Sequence, residues 1–117
     1  MKKEIVDGKV AVLYSPGHGA GWSTWDYDYG DALVFDPSIV YMVQEMNKAN
    51  DDGDLLLWES WMDNIKVYCD KTYPDFYTGG LDQLKVAWIS EGTYFRITEY
   101  DGSESIEYKE DDEWIVA

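Results

Sequence analysis

Two spacings of apolar residues alternate along this chain and divide it into short strands and two helices. The segment Lys9–Tyr14 is short, apolar and rich in β-branched residues, which is typical of a strand. Asp7 and Gly8 precede it as a hairpin-turn signal, with residues 4–6 as a short partner strand. A loop rich in Gly, Trp, Tyr and Asp is expected next, over residues 15–31.

The middle of the chain carries the signals of two amphipathic helices joined as a hairpin. Asp36 and Pro37 begin the first helix, because Asp is a favoured N-cap and Pro fits the first helical position. Gly53 ends it, Asp54 is the expected N-cap of the second helix, and Pro74 ends that one. The apolar faces comprise Ile39, Val40, Val43 and Met46 in the first helix and Leu55, Trp58, Met62, Ile65 and Cys69 in the second.

After residue 80 the spacing of apolar residues changes from helical to alternating. Residues 84–89 and 93–100 are predicted strands around a turn at 90–92, and Asp101 with Gly102 predicts a hairpin turn into residues 103–108. Residues 114–116 are a further candidate strand. The sequence thus predicts one α+β domain over residues 1–117, with an antiparallel meander of about four to six strands packed against the helical hairpin.

The charge balance narrows the class of partner. Nine basic residues stand against 24 acidic ones, for a formal net charge of −15. Direct binding of nucleic acid needs clustered Lys and Arg, and an anionic membrane repels such a chain, so neither is an expected partner. A negative field attracts basic surfaces, including those of proteins that hold nucleic acid, although acidity also serves solubility alone.

The chain offers few residues for catalysis. Its one cysteine, Cys69, excludes an internal disulfide and falls on an apolar helix face, where an inert thiol is expected. The one histidine, His18, has no partner signature, and residues 26–31 lack the spacing of a calcium loop. We predict no enzyme activity, cofactor or metal. Without a signal-peptide pattern or a membrane-spanning stretch, the expected location is a reducing cytoplasm.

The most unusual segment is a glycine-rich loop, residues 15–25, with the sequence SPGHGAGWSTW. Its alternate glycines expose backbone N–H groups that can cradle an anion, and its tryptophans can stack on a base. The favoured interpretation is instead a demanding loop whose tryptophans pack into the core. If a ligand binds, the candidate residues, used together with residues 77–80, are Gly17, His18, Gly19, Gly21, Trp22 and Trp25.

An acidic run from residue 99 to 113 is the second candidate site. Carboxylates two residues apart on a strand lie roughly 6.6 Å apart on one face, a spacing close to that of neighbouring phosphates. The run can therefore mimic a nucleic-acid backbone, although a solvated sheet face is the commoner outcome. The candidate partner-binding residues are Glu99, Asp101, Glu104, Glu107, Asp111 and Asp112.

Three segments resemble those of small acidic proteins encoded by bacteriophages and prophages: residues 15–25, residues 77–80 (YTGG) and residues 92–106 (GTYFRITEYDGSESI). The likeness spans most of the chain but brings no assigned activity, so no functional residue follows from it. It implies a phage origin, and short acidic phage proteins often inhibit host defences, as anti-CRISPR and anti-restriction proteins do.

These observations lead to three functional hypotheses. The first is a non-enzymatic inhibitor whose acidic, nucleic-acid-mimicking face blocks a host nucleic-acid-binding protein or nuclease complex. The alternative is a small-molecule or nucleotide-binding protein, acting as a sponge, that uses the loop at residues 15–25. The third is a structural phage or oligomer component without a ligand.

Overall fold

The structure, a computed structural model, describes residues 2–17, 21–24 and 28–108. Within these ranges five strands, three α-helices and one turn of 3-10 helix follow one another. They are β1 (Ile5–Val6), β2 (Lys9–Tyr14), α1 (Gly30–Phe35), α2 (Pro37–Asp51), α3 (Leu55–Thr72), the 3-10 turn (Leu81–Gln83), β3 (Lys85–Ser90), β4 (Phe95–Tyr100) and β5 (Ser103–Tyr108). Among the described residues, no helix is both long and apolar enough to cross a membrane.

The helical hairpin begins and ends at the predicted signals. Asp36 caps α2 by accepting hydrogen bonds from the backbone N–H groups of Ser38 and Ile39, at 2.8 and 3.3 Å. Asp54 caps α3 by accepting from the N–H of Leu57 at 3.1 Å. Side-chain oxygens at these positions satisfy N–H groups that the first helical turn leaves without partners.

Helix α1 is a difference from the sequence analysis, which assigned its first two residues to a loop. It has only six residues and no side-chain cap, so neither a period nor a start signal marks it. Such a short helix is marginal by itself and depends on packing. Leu33 and Val34 supply that packing, since both are buried.

The strands form two antiparallel sheets. The first has the order β1-β2-β3, and the second is the hairpin of β4 and β5. Both hairpins turn on an Asp-Gly pair in which each residue has a positive φ, a conformation that glycine adopts without strain: Asp7 with Gly8 and Asp101 with Gly102. The α+β class is confirmed, but the single meander of four to six strands is wrong, because the strands divide into sheets of three and two.

Alternation along β2 places two cores on opposite faces of the first sheet. Ala11 and Leu13 belong to the cluster shared with the helices, which includes Ile39, Val43 and Met46 of α2. Val12 faces the other way, into a smaller cluster where the β4–β5 hairpin packs through Phe95, Ile97, Ile106 and Tyr108. The β-hairpin therefore covers the sheet face opposite the helices, so inward positions of β4 and β5 are shielded from water.

Helix α3 is more exposed than its pattern predicted. Ile65 and Cys69 are buried as expected, and Trp58 and Met62 are partly buried against the core. Leu55, by contrast, is 61% exposed at the first position of the helix.

Candidate functional site

The carboxylate of Glu104 is the most enclosed charged group of the described chain. Glu104 lies on β5 two residues before Ile106, so it shares the inward face of the hairpin, and it is only 1% exposed. Its Oε1 accepts a hydrogen bond from the N–H of Ser15 at 2.8 Å. Its Oε2 accepts from the N–H groups of Trp22 and Thr24, at 2.8 and 3.1 Å, and from the Thr24 hydroxyl at 2.6 Å.

This arrangement corrects the assignment of Glu104 to a partner-binding surface. A buried carboxylate whose two oxygens already accept four hydrogen bonds offers nothing to another protein. Backbone N–H groups of the glycine-rich loop do bind an anion, but they belong to Ser15, Trp22 and Thr24 and not to the described glycines, and the anion is a side chain of the protein itself. The hydrogen bonds of Glu104 therefore hold the loop against β5.

The ligand-binding interpretation of Trp22 also fails on burial. Trp22 is 1% exposed, its indole N–H donates to the carbonyl of Leu33 at 2.8 Å, and its ring meets Phe76 edge-on with the ring centroids 4.8 Å apart. A ring held in this way cannot stack on a base from solvent. Trp22 packs into the core, which is the interpretation favoured from the sequence.

The two described glycines among the candidate ligand residues are explained by packing within the protein. A Cβ added to Gly17 would lie 2.2 Å from Cγ of Gln83. One added to Gly21 would lie 2.7 Å from Oγ1 of Thr24 and 3.1 Å from Oε2 of Glu104. Glycine is thus needed for close internal contact rather than for the approach of a ligand. His18, Gly19 and Trp25 lie outside the described residues.

The second segment of the ligand hypothesis, residues 77–80, is tied to the same loop. The hydroxyl of Ser15 donates to the carbonyl of Gly80 at 2.8 Å, and both residues are buried. The hydroxyl of Ser103 on β5 donates in turn to the carbonyl of Pro16 at 2.6 Å. The described part of the loop, β5 and residues 77–80 are thus joined by these hydrogen bonds.

The other acidic candidates on the hairpin remain accessible. Glu99 and Asp101 are exposed, and Glu99 also accepts from the N–H of Gly102 at 2.7 Å within the turn. Glu107 lies on the outward face, where it pairs with Arg96 at 2.9 Å. Asp111 and Asp112 lie outside the described residues. The structure therefore keeps three of the six acids at the surface, divided between the turn and the outer face.

A second buried carboxylate, Asp36, organises the helix ends. Besides capping α2, its Oδ2 accepts from the hydroxyls of Tyr68 and Tyr73 on and beside α3. Burial, reinforced by these hydrogen bonds to Asp36, raises the pKa of both tyrosines above the ordinary value. Its role as an N-cap was predicted, but these tyrosine contacts link residues more than 30 positions apart and leave no local signal.

Cys69 is buried, and its environment near Asp36 disfavours the reactive thiolate. Burial raises the pKa of its thiol to about 12, and the negative charges of Asp36 and Asp70 add to that rise. A nucleophilic cysteine needs a thiolate near neutral pH, which this environment opposes. The expectation of an inert helix-face thiol agrees with this geometry.

The remaining described acidic residues lie at the protein surface. Among the described residues only two acids, Asp36 and Glu104, are buried, and both are held within the fold by hydrogen bonds. Every other described acid is at least partly exposed. The molecule can therefore present a broad negative surface, while its internal carboxylates serve the fold.

The burial of Glu104 had a signal in the sequence. Phe95, Ile97 and Ile106 alternate with polar residues, and the Asp101–Gly102 turn fixes which positions of the two strands face each other. Extending that alternation back from Ile106 places Glu104 on the buried face and Glu107 on the open one. Nearness in the chain alone does not distinguish the buried Glu104 from the outward-facing Glu107.

Comparisons with models of protein families, with curated proteins and with solved structures found no match to this chain.

Proposed function

We propose that this chain is a non-enzymatic inhibitor that binds a basic, nucleic-acid-binding host protein through its acidic surface. The observation that carries the proposal is the exposure of nearly all described acids in a chain of net charge −15. Such a surface attracts proteins whose own binding sites are lined with Lys and Arg. A nuclease of a bacterial defence system is a partner of this chemistry, in keeping with the resemblance to phage proteins.

The interior of the protein supports binding over catalysis. The two buried carboxylates are saturated with hydrogen bonds, and the Cys69 thiol stays protonated at neutral pH. No buried side-chain nitrogen or oxygen among the described residues lacks a hydrogen-bond partner. A catalytic group normally retains a perturbed and accessible reactive atom, and these groups are committed to the fold.

The β4–β5 hairpin is the proposed centre of the contact. Glu99, near the end of β4, and Asp101, in the turn, are exposed, and Glu107 lies on the outward face, where it pairs with Arg96. The hairpin backbone is pinned to the rest of the protein through Glu104, so these acids are presented on a fixed support. A rigid array loses less conformational entropy on binding than a mobile one.

Capture from a bacterial host lysate on the immobilised chain, followed by mass spectrometry, tests the proposal. A hairpin variant carries Glu99→Gln, Asp101→Asn and Glu107→Gln, while a control variant carries Asp51→Asn, Asp52→Asn and Asp63→Asn. Both variants lose three negative charges at the surface and keep side-chain size. Asn at position 101 also tolerates the positive φ of the turn.

We expect the wild-type chain and the control variant to retain a basic, nucleic-acid-binding protein that the hairpin variant releases. Equal retention of that protein by the hairpin variant would show that the hairpin acids do not contribute to the contact. Capture of only neutral or acidic proteins would contradict the proposed partner class.

A further inference from the structure

A groove runs between α2 and α3 on the side of the helical hairpin that faces solvent. Its volume is about 560 Å³, within the range of sites that hold small molecules or single side chains. Its walls are largely aromatic and apolar, with two polar side chains among them. The residues that line the groove include Ser38, Tyr41, Met42, Trp61, Asn64 and Tyr68.

The aromatic residues of this groove are partly exposed, although Trp61 and Tyr68 also pack against the main core. Tyr41 and Trp61 meet edge to face, with centroids 5.9 Å apart and planes at 86°, and Tyr41 is 57% exposed. Tyr68 is held in place because its hydroxyl donates to Oδ2 of Asp36 at 2.8 Å. One wall of the groove is thus held by a hydrogen bond, and the Tyr41 side chain is open to solvent.

Charge and polarity favour a cation in this groove. Ring faces carry negative quadrupole charge, and none of the described residues lining the groove is basic. Ser38 and Asn64 supply oxygen atoms that can accept hydrogen bonds. The positive end of the α2 dipole, which would oppose a cation, is offset by the capping carboxylate of Asp36.

Two lysines of the chain lie near the start of α2. Lys2 lines an adjoining cleft of about 390 Å³ together with Asp36 and Tyr68. The ammonium of Lys3 lies 4.5 Å from the centroid of the Phe35 ring. The Lys3 ammonium thus already contacts an aromatic ring next to the start of α2.

We infer that the α2–α3 groove is a binding site for an arginine side chain of the basic partner. The inference rests on the proposed function and gives it a specific anchor. Arginine suits the groove better than lysine, because its planar guanidinium is weakly hydrated, stacks on aromatic rings and forks towards several acceptors. A partner arginine that otherwise contacts nucleic acid would be sequestered there.

A titration with N-acetyl-arginine amide, followed by NMR of the indole N–H of Trp61, tests the site directly. The Trp61 signal is identified by its loss in Trp61→Phe. We expect a saturable shift with the arginine probe and none with N-acetyl-leucine amide. Tyr41→Ala should weaken binding by about three- to tenfold, the worth of one ring contact to a cation, while Tyr41→Phe keeps it.

Tyr100→Ala is the matched control, since Tyr100 is 87% exposed on β4, outside the groove, and should leave binding unchanged. Unchanged affinity in Tyr41→Ala, equal binding of the leucine probe, or no shift at any soluble concentration would each overturn the inference. Those results would leave the acidic-surface proposal standing if lysate capture still returned a basic partner. A groove that binds arginine while capture returns no basic protein would instead reject the proposed function alone.

Discussion

Glu104 shows how an acidic chain can use a buried charge to hold its own loop. An isolated carboxylate inside a protein is strongly unfavourable, and hydrogen bonds to the charged form offset that penalty. The four bonds to Glu104 come from Ser15, Trp22 and Thr24, which are separated from it by 80 or more positions. One side chain therefore fixes the path of the glycine-rich loop against β5.

Replacing Glu104 by Gln should destabilise the protein by about 1.5–3 kcal/mol, the worth of a hydrogen bond to a charged group. The side-chain amide nitrogen of Gln would face a backbone N–H from which an oxygen of Glu104 accepts a hydrogen bond. Glu107→Gln on the same strand is the control and should change the free energy of unfolding by less than about 1 kcal/mol, since its ion pair is exposed. Urea unfolding of both variants measures the difference; equal effects would contradict the structural role of Glu104.

Cys69 predicts an alkaline limit to stability. Burial raises its folded pKa to about 12, whereas an unfolded thiol ionises near pH 8.5. The stability from this group is complete below about pH 8.5 and is lost as pH rises towards 12, because the unfolded chain releases the proton first. In Cys69→Ala the decline should begin later, near the ordinary tyrosine pKa of about 10. Denaturant unfolding between these pH values tests the claim; superimposable profiles would refute it.

At the scale of elements, local signals predicted the helices and hairpins well. Asp36, Asp54 and the two Asp-Gly turns act through their nearest neighbours, so their effects can be read from the sequence. Helix α1 and the division of the strands into two sheets depend instead on distant contacts, such as the N–H of Glu104 donating to the carbonyl of Ser15 at 2.8 Å. Those contacts have no local signature.

The same division applies to the candidate site. The alternate glycines of the loop at residues 15–25 suggested an anion cradle, but the described backbone N–H groups that bind Glu104 belong to Ser15, Trp22 and Thr24. Its occupant, Glu104, lies on a strand far along the chain; alternation along β5 indicates that Glu104 is buried, but only the fold brings it to the loop. The aromatic groove likewise requires the pairing of α2 with α3, which brings Tyr41 next to Trp61.

The two helix caps offer a matched comparison at this scale. Asp54→Ala removes only an exposed cap and should cost about 1 kcal/mol. Asp36→Ala also strands the hydroxyls of Tyr68 and Tyr73, so we expect about 2–4 kcal/mol. Thermal and urea unfolding of both variants provide the values. An Asp36 variant no less stable than the Asp54 variant would show that the tyrosine contacts contribute nothing.

At the scale of the whole molecule, the acids divide into two roles. Asp36 and Glu104 hold the fold from inside, and the other described acids are left to face water and partners. Surface charges act over a range of roughly 8 Å at physiological ionic strength, so their main effect is on the rate of encounter with a basic protein. Salt should therefore slow association more than it speeds dissociation.

Competition for nucleic acid tests the proposed binding mode most directly. The protein captured from the lysate is loaded with labelled nucleic acid, and the acidic chain is added while the bound label is followed by anisotropy. We expect the label to be released, with less release as salt is raised and little release by the hairpin variant. Binding of the chain to that same protein while the nucleic acid stays in place would contradict the proposal that it occupies the nucleic-acid-binding surface.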